Sequence, residues 1–133
     1  MMFMQGVAGI IENYDGTFLL HLRDSKAPTM HDQWCLVGGT VEENEMPEQA
    51  LKREVKEETD LDVQSLKPYT TFNFNDKTIT IYYCEVDTRK GALKLGEGDD
   101  LRFIEQKKLM AMLQGLNYKN DYLEILMSYL LKI

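Results

Sequence analysis

Three glutamates, Glu54, Glu57 and Glu58, stand at i, i+3 and i+4. If the segment is helical, their carboxylates leave one face within about one turn. Like charges at that spacing repel, which Arg53, Lys52 and Lys56 offset in part while pointing to a different side. Leu51 and Val55 form the apolar stripe of the same segment, with Glu58 at its edge, where a carboxylate would be partly desolvated and would need a partner. A hard divalent cation is one such partner, because Mg²⁺ combines a few carboxylates with substrate phosphates. Taken alone, the three glutamates are better explained by a solvated acidic face on a surface helix.

The elements that must position them follow from the local pattern. Pro47 to about Thr59 reads as a helix, with Pro47 suited to the first helical position and Met46 a poor N-cap. Val7–Glu12 and Thr17–Arg23 flank Asn13-Tyr14-Asp15-Gly16, a hairpin signal. Asp24 to Gln33 is a loop, and Trp34–Val37 a short buried strand that stops at Gly38-Gly39. Leu66–Phe74 and Thr78–Val86 make a second hairpin about Asn75-Asp76-Lys77. A polar stretch, Asp87–Asp100, leads to a strand at Leu101–Ile104, and helices near Gln106–Gln114 and Lys119–Leu131 close the chain. Strands on both sides of one helix, with further helices after them, imply an α/β fold: a mixed sheet covered by helices.

Composition narrows the function. The 133 residues are 44% hydrophobic, enough for one domain spanning 1–133 with its own core. A net charge of −7 argues against nucleic acid as a partner, since phosphate backbones are held by clustered Lys and Arg. An anionic small substrate would need a cation between it and this acidic chain. Cys35 and Cys84 are too few for a disulfide framework and read as free thiols. No apolar run is long enough to span a bilayer and Met1–Gly6 lacks the features of a signal peptide, so a cytoplasmic protein without a membrane partner is expected.

The wider spacing is more specific than the three glutamates. It runs Gly39, five residues, Glu45, seven residues, Arg53-Glu54-Val55-Lys56-Glu57-Glu58, then Thr59-Asp60-Leu61. This resembles the Nudix box, with Asp60 where the pattern has glycine. Trp34-Cys35-Leu36-Val37-Gly38-Gly39 resembles the family's entry to the box, with Val37 in place of proline, and Glu97-Gly98-Asp99-Asp100-Leu101-Arg102-Phe103 fits the family in order and distance. Asn44 replaces a frequent glycine; Asn and Asp both tolerate the left-handed backbone that such positions need.

The resemblance implies the α/β/α Nudix fold and a hydrolase that cleaves a diphosphate linkage in a nucleoside triphosphate or other nucleoside diphosphate derivative. Water would attack phosphorus with the help of Mg²⁺, for which Mn²⁺ is a substitute. It implies Glu57 and Glu58 as metal ligands, Glu54 as a further ligand or the base, and the carbonyl of Gly39 as a ligand. Arg53 and Glu45 would brace loop against helix, with Gly38 supporting. Glu97 is the first choice for an additional carboxylate, ahead of Asp99 and Asp100. The implied partner is a small nucleotide-like molecule, and the chain would be a monomer or homodimer.

Two other readings share the fold. A nucleotide-sensing module without catalysis typically loses box carboxylates, and isomerase chemistry would want a catalytic cysteine that Cys35 and Cys84 do not recognisably supply. His31 lies in the loop before the box, where it could meet substrate, while His21 reads as structural. Tyr69, Phe72, Phe74, Tyr82 and Tyr83 read first as core or cross-strand pairs and second as a base-stacking surface.

Overall fold

The computed structural model describes residues 4–91, 93 and 100–132. A mixed sheet forms the middle layer. Strand β1 (Met4–Asn13) is its centre, with β2 (Phe18–Leu22), β3 (Trp34–Cys35), β4 (Val37–Thr40), β5 (Ser65–Phe74), β6 (Lys77–Val86) and β7 (Asp100–Ile104) around it. Helix α1 (Pro47–Thr59) packs on one face, and α2 (Gln106–Gly115) and α3 (Asp121–Leu130) on the other.

The path across the sheet is β3-β2-β1-β6-β5, with β4 also on β1 and β7 also on β2. β1 runs parallel to β6 along its whole length, from Met4 opposite Lys77 to Asn13 opposite Val86. Its other edge is shared: β4 pairs with residues Gly6 to Gly9, and β2 meets it only near Glu12. A strand paired on both edges and covered on both faces must be apolar almost throughout, and Gly6 to Ile11 are all buried.

Turn chemistry agrees with the sequence. Gly16 takes φ 84 in the first turn, where Thr17 N donates to Asp15 Oδ1 at 3.1 Å. The second turn is shorter than expected: Asn75 and Asp76 sit at φ 48 and 61, a two-residue connection that leaves Lys77 inside β6. The short strand expected to stop at Gly38-Gly39 instead divides. β3 ends at Cys35, and β4 runs straight through both glycines to Thr40.

Alternation sorts the side chains between two cores. Val7, Ile11, Val37 and Tyr82 meet Ala50, Leu51 and Val55 of α1. Ala8, Ile10, Leu36 and Ile81 meet Leu109, Leu113, Leu123 and Leu126 of the last two helices. The aromatic residues of the β5–β6 hairpin mostly belong to this second core: Phe72 and Phe74 pack edge-on against Tyr122, and Tyr83 stacks on Tyr129 at 5.4 Å. Tyr82 points to the opposite face, where its hydroxyl donates to Glu48 Oε1 at 2.8 Å. Asn120 caps α3 by accepting from Leu123 N at 3.0 Å, so that helix starts one residue beyond its cap, later than Lys119. Among the described residues no helix is long and apolar enough to cross a membrane.

Candidate active site

Helix α1 begins without a side-chain cap from Met46, whose backbone is extended. The Gln49 side chain takes that role in reverse, accepting from Met46 N at 2.9 Å. Ala50, Leu51, Val55 and Thr59 form the buried stripe against the sheet. At the other end Thr59 Oγ1 donates to Val55 O at 2.6 Å and accepts from Leu61 N at 3.0 Å, turning the chain out of the helix. Asp60 takes the left-handed conformation at φ 65, and its N–H donates to Lys56 O at 2.9 Å. Asn44 does the same in the loop before the helix, at φ 64. Both positions adopt the glycine-like backbone expected of them.

Arg53 ties this unit together. Its Nε and Nη2 donate to the two oxygens of Glu45 at 2.9 and 3.1 Å, a bidentate pair. Nη2 also reaches Thr40 O at 3.2 Å, so one guanidinium joins the end of β4, the loop and the helix. The hydrogen bonding of Arg53 to the Glu45 carboxylate is the first cause of the lowered pKa of Glu45. The expectation that Arg53 points away from the glutamates is wrong. Nη1 donates to Glu54 Oε1 at 2.9 Å and to Glu57 Oε2 at 3.4 Å. A long side chain at i can fold back over i+1 and i+4, which residue spacing alone does not reveal.

The three glutamates share a side of the helix but differ in solvation. The Glu54 side chain is 16% exposed, whereas that of Glu57 is 58% exposed. Glu58, expected at the partly desolvated edge of the apolar stripe, is half-buried there. Burial raises the pKa of Glu54, against the opposing effect of Arg53. Its carboxylate lies directly over Gly39: a Cβ built on Gly39 would overlap it. Gly38 is bare for a different reason, since a Cβ there would run into Val7 O and Ala8. Among the described residues no three His, Cys, Asp or Glu side chains converge closely enough to hold an ion as they stand. The oxygen donors nonetheless suit a hard divalent cation, and Glu54 at the Gly39 backbone is where such a charge would relieve a desolvated carboxylate.

Glu97 and Asp99 lie outside the described residues. Asp100 opens β7 opposite Leu22 and accepts from Arg102 Nε at 3.1 Å.

Beside Gly39 opens a cavity of about 310 Å³. Gly38, Gly39 and Thr40 line one side of it, and Leu36, Phe74, Ile79 and Tyr122 give it apolar walls. Arg23 and Lys77 are the cations in its lining. Arg23 Nε donates to Thr29 O at 2.9 Å and so fastens the 24–33 loop, whose Pro28, Thr29 and Met30 also line the cavity. His31 is exposed beside Asp32 and is not among the lining residues. Cys35 is buried in the cavity floor, where burial pushes its thiol up to about 11. Sequence reasoning missed this pocket because five separate segments build it. The only advance signals were the aromatic residues of the second hairpin and Arg23 at a strand end.

The NUDIX domain model matches residues 2–124. An 8-oxo-dGTP diphosphatase of Proteus vulgaris is 33% identical over 98 residues, which cover 67% of this chain and 87% of that protein. Among solved structures, a Nudix hydrolase from Nitrosomonas europaea superimposes with a TM-score of 0.79 at 18% identity, covering 99% of this chain and 72% of that one. A MutT structure from work on the Aliivibrio salmonicida and Vibrio cholerae proteins gives 0.73 at 24% identity, covering 95% and 98%. At these identities the structural likeness speaks for the fold, and the sequence matches carry the family. The chain belongs to the Nudix family and is a Nudix hydrolase.

Proposed function

We propose that this hydrolase cleaves a diphosphate linkage in a nucleoside triphosphate or related nucleoside diphosphate derivative, using Mg²⁺ and an attacking water. The observation that carries the reading is the juxtaposition of two unlike surfaces at Gly39. On one side lie the carboxylates of α1, and on the other a cavity of about 310 Å³ with aromatic walls. That volume lies at the lower end of the range typical of small-molecule sites.

Glu57 and Glu58, with the Gly39 carbonyl, would hold the cation, with Glu54 as a further ligand or as the base. The cation would supply the positive charge that an anionic phosphate needs beside three carboxylates, and would polarise a phosphoryl oxygen. Glu54, whose carboxylate lies over Gly39 beside the cavity, would take the proton of the attacking water. Arg53 and Glu45 tie the loop before the helix to the helix that carries the carboxylates. Phe74 and Tyr122 offer apolar surface to the base. The named activity of the Proteus vulgaris relative makes 8-oxo-dGTP the first compound to try.

The test is a panel of nucleoside triphosphates, including 8-oxo-dGTP, and other nucleoside diphosphate derivatives, with products identified by phosphorus NMR. Turnover of at least one compound with Mg²⁺ or Mn²⁺, abolished by chelation and restored by the metal, is expected. Tight nucleotide binding without turnover of any member would contradict the reading and favour a sensing module.

A further inference from the structure

Lys77 lies outside the box, yet its side chain ends beside it. It is the first residue of β6, immediately after the Asn75-Asp76 turn. Two residues along, Ile79 stands opposite Gly6 of β1, and Gly6 stands opposite Thr40 of β4. Gly6 has no side chain to block this row, and a Cβ there would run into Ile79. Lys77 crosses β1 at this bare stretch and its Nζ donates to Thr40 Oγ1 at 3.1 Å. Thr40 follows Gly39 directly, and its carbonyl accepts from Arg53 Nη2 at 3.2 Å.

The charges around the cavity make this contact informative. Arg53, outside the lining, is engaged with Glu45, Glu54, Glu57 and the Thr40 carbonyl, and Arg23, the other cation in the lining, donates through Nε to Thr29 O. Lys77 differs: it is half-buried, it lines the cavity, and its hydrogen-bond partner among the described residues is a neutral hydroxyl. A partly desolvated ammonium normally finds a counter-ion. Among the described residues no carboxylate pairs with this lysine, which lines a space whose proposed occupant is an anion. Its place within that space is also defined. Phe74 faces Lys77 directly across the hairpin and lines the apolar end, while Thr40 lies at the box end.

We propose that Lys77 is a phosphate-binding residue that seats the phosphate joined to the nucleoside, between the carboxylates of α1 and the apolar end of the cavity. Thr40 is its positioning residue. The assignment rests on the diphosphate-hydrolysis reading above, and it adds the group that carries the substrate's charge on the side away from the metal. A lysine suits the task, since it meets phosphate as a point charge on a flexible stem.

The test measures binding of 8-oxo-dGMP and of inorganic pyrophosphate separately, together with kcat and KM for 8-oxo-dGTP. The proteins are the wild type, K77M, K77R and T40V, each checked by thermal melting. K77M is expected to weaken 8-oxo-dGMP binding by about tenfold or more and to raise KM by a similar factor, with a smaller change in kcat. Pyrophosphate affinity stays within about twofold, K77R recovers most of the loss, and T40V shows a smaller effect in the same direction. An effect confined to melting temperature would mark a structural lysine and overturn the assignment. So would unchanged 8-oxo-dGMP binding in K77M, or a loss that falls on pyrophosphate instead. Wild-type protein that neither binds 8-oxo-dGMP nor hydrolyses 8-oxo-dGTP would overturn this substrate choice along with the assignment. Unchanged behaviour of K77M in an active wild-type background overturns the assignment alone.

Discussion

The two faces of the sheet reach similar burial by opposite routes. On the α1 face, the polar groups that matter come from one continuous stretch between Gly38 and Asp60, held by a single guanidinium. On the α3 face, the cavity is assembled from β1, the 24–33 loop, β4, the β5–β6 hairpin and Tyr122 of α3. The first face concentrates charge on a short, braced motif. The second supplies volume and aromatic surface through contacts distant in sequence. Rate and stability should therefore respond differently to changes on the two faces.

The largest effect on stability should come from the α3 face. Leu126 is 1% exposed in the second core, and Leu126→Ala should cost about 2–5 kcal/mol in chemical denaturation. Activity per folded molecule should stay within about twofold. A hundredfold fall in that quantity would break the division between the faces.

Adjacent glycines sharpen the same comparison at single-residue resolution. Gly39→Ala pushes against the Glu54 carboxylate, and a catalytic group displaced by about 1 Å can cost about a hundredfold in rate. Gly38→Ala pushes against the Val7 carbonyl in the sheet, where overpacking costs about 1–3 kcal/mol of stability. Parallel measurement of kcat/KM and unfolding should find the activity loss dominant in the first variant and the stability loss in the second. Equal profiles would mean that both glycines serve only the strand.

The brace has a pH signature. Because the Arg53 hydrogen bond lowers the pKa of Glu45, its contribution is fully present above the ordinary glutamate range. It is lost as pH falls through the lowered folded-state value. Wild type and Glu45→Gln should thus differ in melting temperature near neutrality and converge in acid. A constant difference down to strongly acidic pH would deny Glu45 that role.

The smallest effect concerns the helix end. Asp60 holds φ 65, so Asp60→Gly should relieve strain and, after the entropy glycine adds to the unfolded chain, stabilise by about 0.5 kcal/mol.

How much of this was legible in sequence follows the same division. The helix, its glutamates and the left-handed tolerance of Asn44 and Asp60 depend on near neighbours, and residue type and spacing report near neighbours well. The fate of Gly38-Gly39 did not, because their need to be small comes from Val7 and Glu54, which lie far along the chain. Glu58 is half-buried, as its place at the edge of the apolar stripe implied, but the desolvation of Glu54 depends on packing against Gly39 and could not be read from spacing. The parallel pairing of β1 with β6 left no local trace, and the cavity depends on it: Gly6 lies beside Ile79 only in that register.

The central claim is that the carboxylates of α1 perform metal-dependent diphosphate hydrolysis. The most direct test is kcat/KM with saturating Mg²⁺ for wild type and Glu57→Gln, on whichever compound the wild type hydrolyses best. Glu57 is largely exposed, so this exchange should leave the melting temperature nearly unchanged. Loss of at least about a thousandfold in kcat/KM is the predicted result. Turnover that persists in folded Glu57→Gln would contradict the account.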